Sequence, residues 1–220
     1  EREIRSAAQR LTRAGLEETD IFTLYARLSA ARQARIFEPG PRRRVILATN
    51  VAETSLTIPG IRVVVDSGLV RRSVFDPVTG MSRLETQRIS RASADQRQGR
   101  AGRVAPGSCY RLWSEGAQRS LAAFTPPEIQ DADLAPLALE LAGWGAREVA
   151  ALRWLDPPPA ATLEGARDLL RRLGALDAQS RLTPHGRELA RIPAHPRLAH
   201  LLQEARRRGL GRLGAELAAL

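Results

Sequence analysis

The chain has 220 residues, 43% of them hydrophobic, which is enough for one large domain or two small ones with their own cores. It contains no apolar run long enough for a transmembrane helix, and its charged first residues exclude a signal peptide. We therefore expect no membrane partner. A single cysteine, Cys109, excludes an internal disulfide, which fits a cytoplasmic protein.

The 34 basic residues outnumber the 24 acidic ones, which gives a net charge of +10. This charge indicates a polyanionic partner, although all of the basic residues are arginines, a usage that is also typical of genomic base-composition bias. Without lysine the chain cannot contain a phosphate-binding loop of the form GxxxxGK(S/T), whose lysine reaches the terminal phosphates. Any nucleotide must therefore be held mainly by something outside this chain.

The first hundred residues alternate between helical and strand patterns, which predicts an α/β fold with a parallel sheet and crossover helices. The runs VILA and VVV are unbroken and rich in β-branched residues, so they predict strands that are buried on both faces. In chain order, the predicted elements are a helix at 3–14 that ends at Gly15, a strand at 21–26, a helix at 29–38 capped by Ser29, and strands at 44–49, 61–67 and 107–113.

A β-hairpin is predicted directly after Gly68. Two extended arms, at 69–75 and 81–88, flank the sequence DPVTG, in which Pro77 and Gly80 are typical of a turn. The hairpin is therefore an insertion between the strands of the sheet domain.

The stretch QRQGRAGR at 96–103 combines three arginines with two glycines. The residues SADQ, which overlap its start, have the S-x-x-Q pattern of a capping box and predict that a helix begins here. At about 100° per residue, Gln96, Arg100 and Arg103 share an arc of roughly 60°, and Arg97 lies about 100° away. This stripe is expected to face an anion. A solvated basic face is the alternative.

The sequence ATNVAETSLTI at 48–58 follows a predicted buried strand. Open α/β sheets bind ligands at the carboxyl ends of their strands, and hydroxyl and amide groups suit contacts with phosphate or sugar. An ordinary capping loop is the alternative. The side chains with such groups are Thr49, Asn50, Thr54, Ser55 and Thr57.

From about residue 121 onward, prolines separate short helices. The order helix, helix, small hairpin and helix is typical of a winged helix, and a further helical segment follows it. The chain looks truncated at both ends, because helical patterns run up to each of them. The three histidines lack the spacing and the company of a metal site, and we expect structural roles for them and core packing for the cysteine and the tryptophans: His185, His195, His200, Cys109, Trp113, Trp144 and Trp154.

In this order and spacing, ATNVAETSLTI, VVVDSG, SADQRQGRAGR and GSCYRLWSE resemble the second RecA-like domain of the DEAH-box helicases, most of all the bacterial HrpB-type branch. The later sequences WLDPPP, LGALD and LTPHGRELARIPAHPRLAHLL are similar to the family's winged helix and the start of its ratchet domain. The resemblance implies a RecA-like domain at 1–120 with the hairpin insertion, a winged-helix domain at 121–192 and the start of a helical domain at 193–220.

The resemblance also implies roles at the nucleotide. Gln96, Arg100 and Arg103 would face the phosphates of ATP, with the two arginines as arginine fingers. Arg97 lies off the stripe by its helical angle, so we expect it to be structural or solvent-exposed. Many relatives have an acidic residue near the ribose where this chain has Pro59, which puts that contact in doubt. Ser55 and Thr57 would link their loop to the nucleotide, and Phe37 would stack on adenine unless it is a core residue.

For nucleic acid, the resemblance places Thr49, Asn50 and Thr54 near the backbone of a single strand. Arg71, Arg72 and Arg83 on the hairpin are candidates for phosphate contacts, although exposed hairpin arms are often charged for solubility alone.

The implied function is that of the C-terminal half of an ATP-dependent helicase that acts on single-stranded nucleic acid, here RNA. A first RecA-like domain outside this chain would be its partner and would hold ATP and Mg²⁺, so the chain alone is expected to be inactive. The alternatives are a non-catalytic nucleic-acid-binding adaptor with a degenerate RecA-like fold, and a nucleotide-binding enzyme of unrelated chemistry.

Overall fold

The structure is a computed structural model that describes residues 2–54, 56–77, 79–146 and 148–219. It divides into two compact units, the first formed by Glu1–Arg72 with Glu85–Thr125 and the second by Ser73–Leu84 with Pro126–Leu220. None of the helices in these described ranges is long and apolar enough to cross a membrane. The α/β class is confirmed, and the domain boundaries at 120 and 192 stay predictions.

The elements from the N-terminus to residue 120 follow the predicted order closely. α1 ends before Gly15, whose φ of +64° suits glycine, and Ser29 is the N-cap of α2. The elements are α1 (Arg2–Arg13), β1 (Thr19–Leu24), α2 (Ala30–Phe37), β2 (Arg43–Ala48), α3 (Val51–Thr54), β3 (Val63–Asp66), β4 (Leu69–Asp76), β5 (Met81–Arg88), α4 (Arg91–Gln98), β6 (Ser108–Arg111) and α5 (Glu115–Ser120).

The parallel pairing of the strands is confirmed. β1 pairs with β2 with Thr19 opposite Arg43, and β3 pairs with β6 with Val63 opposite Ser108. Apart from β4 and β5, the strands of the described chain form these two separate parallel pairs, with no ladder between β2 and β3. An apolar cluster of the first unit consists of Leu24, Tyr25, Leu28 and Ile36. The side chains of Phe22, Phe37, Ile46, Ala52, Leu56 and Ile58 pack against it.

The prediction that the VVV strand is buried on both faces is wrong. Val63 is 57% exposed and Val65 is 64% exposed, and Tyr110, which is opposite Val65 on β6, is 59% exposed. Alternate residues of a strand point to opposite faces, so one face of this pair carries all three side chains. No other described element of the chain covers that face.

The predicted hairpin is confirmed, with β4 and β5 paired as a two-stranded sheet. At its turn the Gly80 amide donates to the Asp76 carbonyl at 2.8 Å, and φ of Gly80 is +66°. Within the second unit, the guanidinium of Arg197 donates to the carbonyl of Gly80 and occupies the space where a Cβ would stand. Glycine is therefore favoured at this turn by its positive φ, and a Cβ here would displace the guanidinium of Arg197.

The second unit is helical and contains the predicted order of helix, helix, hairpin and helix. The hairpin is marked by an antiparallel bridge between Leu176 and Leu182. Its core includes Leu134, Ala138, Leu141, Leu163, Leu170, Leu189 and Ala199. The helices are α6 (Ala135–Gly143), α7 (Ala160–Arg172), α8 (Pro184–Ala190), α9 (Pro196–Arg207) and α10 (Gly211–Ala218), and single 3₁₀ turns lie at Glu128–Gln130 and Val149–Ala151.

The prediction that the tryptophans pack in the core is confirmed for Trp154. Trp113 packs over Gly68, and the indole of Trp154 packs on the second unit's core while donating to the Val149 carbonyl at 2.8 Å. Trp144 is 76% exposed, so the prediction that it packs in the core is wrong. It lies one residue beyond the end of α6, after the last turn that contributes to the core.

Gly186→Ala is expected to destabilise the second unit by about 2 kcal/mol, because overpacking a tight contact forces the backbone to move. A Cβ at Gly186 would lie 2.2 Å from the Ala175 carbonyl oxygen. Gly165→Ala is the matched control, since a Cβ there meets nothing within 4 Å among the described residues of the chain and alanine favours the interior of α7 by about 0.5–1 kcal/mol. Native-state hydrogen exchange of the helix amides measures both changes. Equal effects of the two substitutions would contradict this prediction.

Candidate nucleotide and nucleic-acid site

The helix that carries Gln96, Arg97 and Gln98 begins earlier than predicted. Its N-cap is Ser90, whose hydroxyl accepts the Ser93 amide at 3.1 Å, so the capping box predicted at Ser93 is wrong. Ser90 has extended backbone angles, which an N-cap requires, whereas Ser93 already lies inside the helix. The helix, α4, therefore runs from Arg91 to Gln98.

The residues after α4 form turns that do not continue the helix. The amides of Arg100 and Ala101 donate to the carbonyls three residues back, at 3.1 Å and 3.0 Å. Gln96 is thus the only member of the predicted stripe on α4, and the prediction of one helical stripe with Arg100 and Arg103 is wrong. The two arginines instead lie in the turn at 99–103, which we call the arginine turn.

Arg97 is fixed by two carboxylates. Its Nε donates to Glu53 on α3 at 2.9 Å, and its Nη1 donates to Asp66 on β3 at 2.9 Å and to the Leu69 carbonyl at 3.2 Å. The side chains of Arg97 and Asp66 are only 15% and 1% exposed. The structure therefore favours the structural role for Arg97 over the solvent-exposed one.

Glu53 links α3 to α4 through a second hydrogen bond. The Ser93 hydroxyl donates to Glu53 Oε1 at 2.6 Å, while Arg97 binds the other carboxylate oxygen. Each oxygen of this half-buried carboxylate thus has its own donor on α4. Charge-assisted hydrogen bonds of this kind are stronger than neutral ones, so the two helices are held in a defined position.

Arg100 contacts the loop that follows β2. Its Nη1 donates to the Leu56 carbonyl at 2.9 Å, and its Nη2 donates to the carbonyl of Glu53. The Nε of Arg100 is buried and has no hydrogen-bond partner in the part of the chain that is described. Burial lowers the pKa of this guanidinium below its ordinary value, and the neighbouring charge of Arg103 lowers it further.

Arg103 is exposed and donates to the hydroxyl of Thr57. Both arginines of the arginine turn thus bind the polar loop at 49–57, which we call the polar loop. These hydrogen bonds connect the arginine turn and the polar loop, which lie more than forty residues apart along the chain. The structure therefore brings Thr57, Arg100 and Arg103 together.

The other predicted residues of the polar loop lie around α3. Thr49 follows β2 and is half-buried, whereas Asn50 and Thr54 are exposed at the two ends of the short helix. Ser55 lies outside the described residues. Pro59 is exposed, and its carbonyl accepts Nη2 of Arg44 at 3.2 Å.

Phe37 lies on α2, and the three predicted arginines of the hairpin lie on β4 and β5. Phe37 is partly buried at the end of α2, where it packs against the cluster around Leu24 and Ile36. Arg71 on β4 contacts Glu3 of α1 at 3.4 Å, Arg72 is half-buried and Arg83 on β5 is exposed.

Two carboxylates of this site, Glu53 and Asp66, were not predicted from the sequence. Both lie inside the quoted motifs, in ATNVAETSLTI and VVVDSG, but a single acidic residue in a polar stretch does not identify its partner. The sequence feature that could have indicated them is Arg97, which lies off the predicted stripe and so has no anion assigned to it. A half-buried arginine requires such compensation.

Cys109 lines a cavity of about 310 Å³ beside the arginine turn, together with Asp95, Gln98, Gly99 and Gly102. Burial raises the pKa of the Cys109 thiol, and the charge of Asp66 raises it further. A thiol with a raised pKa is a poor nucleophile, which disfavours a nucleophilic role for Cys109, and its core packing stays a prediction.

The histidines take part in hydrogen bonds between helices of the second unit. His195 Nδ1 accepts the Arg197 amide at 3.2 Å, and its Nε2 lies 2.9 Å from Asp133. Burial alone would raise the pKa of Asp133, but the hydrogen bonds from His195 and the Ala135 amide leave it below its ordinary value. The described residues contain no group of three or more side chains that could hold a metal ion.

Lowering the pH below 6.5 is expected to destabilise the second unit. Arg207 donates to His185 Nδ1, so the proton of the neutral ring is on Nε2, which lies 3.0 Å from His200 Nδ1. Burial lowers the pKa of His185 below 6.5, the charges of Arg207 and His200 lower it further, and Glu188 and Glu204 oppose the shift. The unfolded chain then binds more protons, so stability is lost as the pH falls from 6.5 toward the folded pKa. Urea unfolding at pH 7.5 and 5.5 measures the loss, and His185→Gln should reduce it.

Comparisons with known proteins identify the class. Residues 2–105 match the family model described as the helicase conserved C-terminal domain. The chain is 44% identical over 214 residues to the ATP-dependent RNA helicase HrpA of Escherichia coli K12, and 46% identical over 200 residues to the ATP-dependent RNA helicase HrpB of the same organism. These matches cover 95% and 90% of this chain, but only 16% and 24% of those proteins.

The fold comparison agrees with the sequence comparison. The crystal structure of the Escherichia coli DEAH/RHA helicase HrpB superposes on 99% of this chain with a TM-score of 0.91 at 42% identity, and 28% of that chain is covered. The fold and the matched residues 2–105 are thus those of a helicase C-terminal domain. The chain belongs to the DEAH-box helicase family, and its relatives include HrpB, so the resemblance drawn from the motifs is confirmed.

Proposed function

We propose that this chain is the C-terminal half of an ATP-dependent DEAH-box helicase that moves along single-stranded RNA. The observation that carries the proposal is the contact between the polar loop and the arginine turn. One loop has the hydroxyl and amide groups that suit a nucleic-acid backbone, and the other has the two arginines that suit phosphates. A direct contact between them lets the state of one ligand affect the other.

At the nucleotide, Arg100 and Arg103 would act as arginine fingers, with Gln96 beside them. A guanidinium binds phosphate oxygens through a planar fork and stays charged at any physiological pH. The exposure of Arg103 and Gln96 and the unpartnered Nε of Arg100 in the described chain support this assignment. ATP supplies the phosphoryl group that is transferred, and the first RecA-like domain would hold it together with Mg²⁺.

Further nucleotide contacts are proposed for three residues. The exposed hydroxyl of Thr57, which already binds Arg103, would lie nearest to the phosphates, and Ser55 belongs to the same loop. The part of Phe37 that does not pack on the core would stack on adenine. Pro59 offers the ribose no side-chain hydrogen bond, so we expect weak discrimination at the sugar.

On the nucleic-acid side, Thr49, Asn50 and Thr54 would bind the backbone of the strand. Backbone contacts fix register without reading the bases, which makes movement tolerant of sequence. On the hairpin, Arg71, Arg72 and Arg83 would add phosphate contacts.

The proposal is tested by measuring ATP hydrolysis of the chain joined to a first RecA-like domain, with and without single-stranded RNA. We expect RNA to stimulate turnover, and we expect the 220-residue chain alone to hydrolyse no ATP. Binding of RNA without any hydrolysis by the joined protein would contradict the proposal and favour the adaptor.

The strand contacts are tested by the double substitution Thr49→Val and Thr54→Val. Loss of two hydroxyl contacts should raise the Kd for RNA by about tenfold. Thr12→Val, on the exposed face of α1, is the matched control and should leave the Kd unchanged. The affinity of the unaltered protein should also fall steeply with salt, and equal effects of the two sets of substitutions would remove the polar loop from the RNA site.

A further inference from the structure

Glu53 makes contacts through both its side chain and its main chain. Its side chain is bound by Ser93 and Arg97 of α4, and its main-chain carbonyl accepts the guanidinium of Arg100. The carboxylate therefore fixes the position of the carbonyl that holds Arg100.

This anchor is shielded from water. The side chains of Glu53 and Arg97 are 16% and 15% exposed, and Arg97 is also tied to Asp66, which is 1% exposed. Water and salt screen such a pair far less than a surface pair. Arg97 has both of its carboxylate partners on other elements, so it cannot leave to bind an external anion without exposing two charges.

The residues on both sides of Glu53 belong to the polar loop. Asn50 begins the turn of α3, since its carbonyl accepts the Glu53 amide at 2.9 Å, and Thr54 is the next residue after Glu53. An RNA strand that moves Asn50 or Thr54 must also move Glu53, and the hydrogen bonds from Ser93 and Arg97 to the Glu53 carboxylate resist that movement. The same displacement would move the carbonyl that Arg100 binds.

We propose that Glu53 is a positioning residue, which orients Arg100 through its carbonyl and so connects strand binding at the polar loop to ATP turnover. The inference rests on the proposed function, since it assumes that Arg100 acts on ATP. Glu53 itself contacts neither ligand, and its whole effect passes through Arg100. Coupling of this kind is reciprocal for binding, so the nucleotide affects the affinity for the strand by the same factor.

The test uses Glu53→Gln in the protein that includes the first RecA-like domain, at saturating ATP and RNA. Glutamine keeps an oxygen for Ser93 but turns an N–H group toward Arg97 Nε, which is also a donor. We expect kcat to fall at least tenfold and KM for ATP to change less than threefold. In an Arg100→Ala background, Glu53→Gln should lower kcat less than twofold further, because Arg100 is already absent.

Two further variants complete the test, one that keeps the protein folded and one that serves as a control. Ser93→Ala removes only the 2.6 Å hydrogen bond to Glu53 and should lower kcat about threefold in a folded protein. Glu164→Gln is the matched control, since Glu164 is also bound by two arginines, Arg167 and Arg171, on a helix of the second unit, and it should leave kcat unchanged.

The outcomes separate the inference from the proposed function. If Glu53→Gln costs as much in the Arg100→Ala background as in the unaltered protein, or if it behaves like Glu164→Gln, the positioning role is wrong while the function stands. If Arg100→Ala itself leaves turnover unchanged, the proposed function and this inference are both overturned.

Discussion

Arg100→Ala is expected to lower ATP turnover at saturating RNA by about 10³-fold or more in the protein that includes the first RecA-like domain. Arginine fingers contribute 10³ to 10⁵ to the rate of phosphoryl transfer, because they stabilise charge that develops on the transferred group. Binding of ATP should weaken much less, since the phosphate-binding lysine would lie in the other domain. A single-turnover assay with separate measurement of nucleotide affinity distinguishes the two effects.

Arg208→Ala is the control for this change. Arg208 is 73% exposed and lies 3.9 Å from Glu204 in the second unit, so its removal takes away one positive charge without touching the proposed site. Turnover should stay within twofold of the unaltered protein. A protein in which Arg100→Ala and Arg208→Ala turn over ATP equally fast would show that Arg100 is not a finger.

The elements with strong periodicity were predictable, and the ends of one decisive helix were not. The helices α1 and α2 and the parallel strands lie within a few residues of their predicted positions, because apolar spacing and turn residues determine them locally. For α4, Ser90 and Ser93 are both acceptable caps by composition. Only the backbone angles in the folded chain, which are extended at Ser90, decide between them.

The contacts of the site show a similar limit. The resemblance implied that the polar loop and the arginines both face the nucleotide, but it did not give their ion pairs: Glu53 and Arg97 are separated by 44 residues, and Asp66 and Arg97 by 31. Which carboxylate meets which arginine is determined by the tertiary packing of α3 and β3 against α4. Residue type and spacing leave those pairings open, and for the same reason the exposure of Trp144 could not be predicted.

Arg97→Met is expected to destabilise the first unit by about 3–5 kcal/mol, since it removes the cation between two shielded carboxylates. Breaking a buried ion pair is far more costly than the pair's net contribution, because the remaining charges stay without compensation. Here the remaining charges are Glu53 and Asp66, the second of which has a further buried oxygen without a partner in the described residues. Native-state hydrogen exchange of the α4 amides, among them Ala94, measures the change in the complete protein.

Two comparisons make that result specific. Arg181→Met breaks an ion pair of the same length, 2.9 Å to Asp177, in which the arginine is 60% exposed, and it should cost at most about 1 kcal/mol. Arg97→Lys keeps one charge but not the planar fork that reaches both carboxylates, so its cost should fall between those of the two methionine variants. If Arg97→Met costs no more than Arg181→Met, the network of Glu53, Asp66 and Arg97 does not hold α4 in place, and the arginine turn must be oriented by its own contacts with the polar loop.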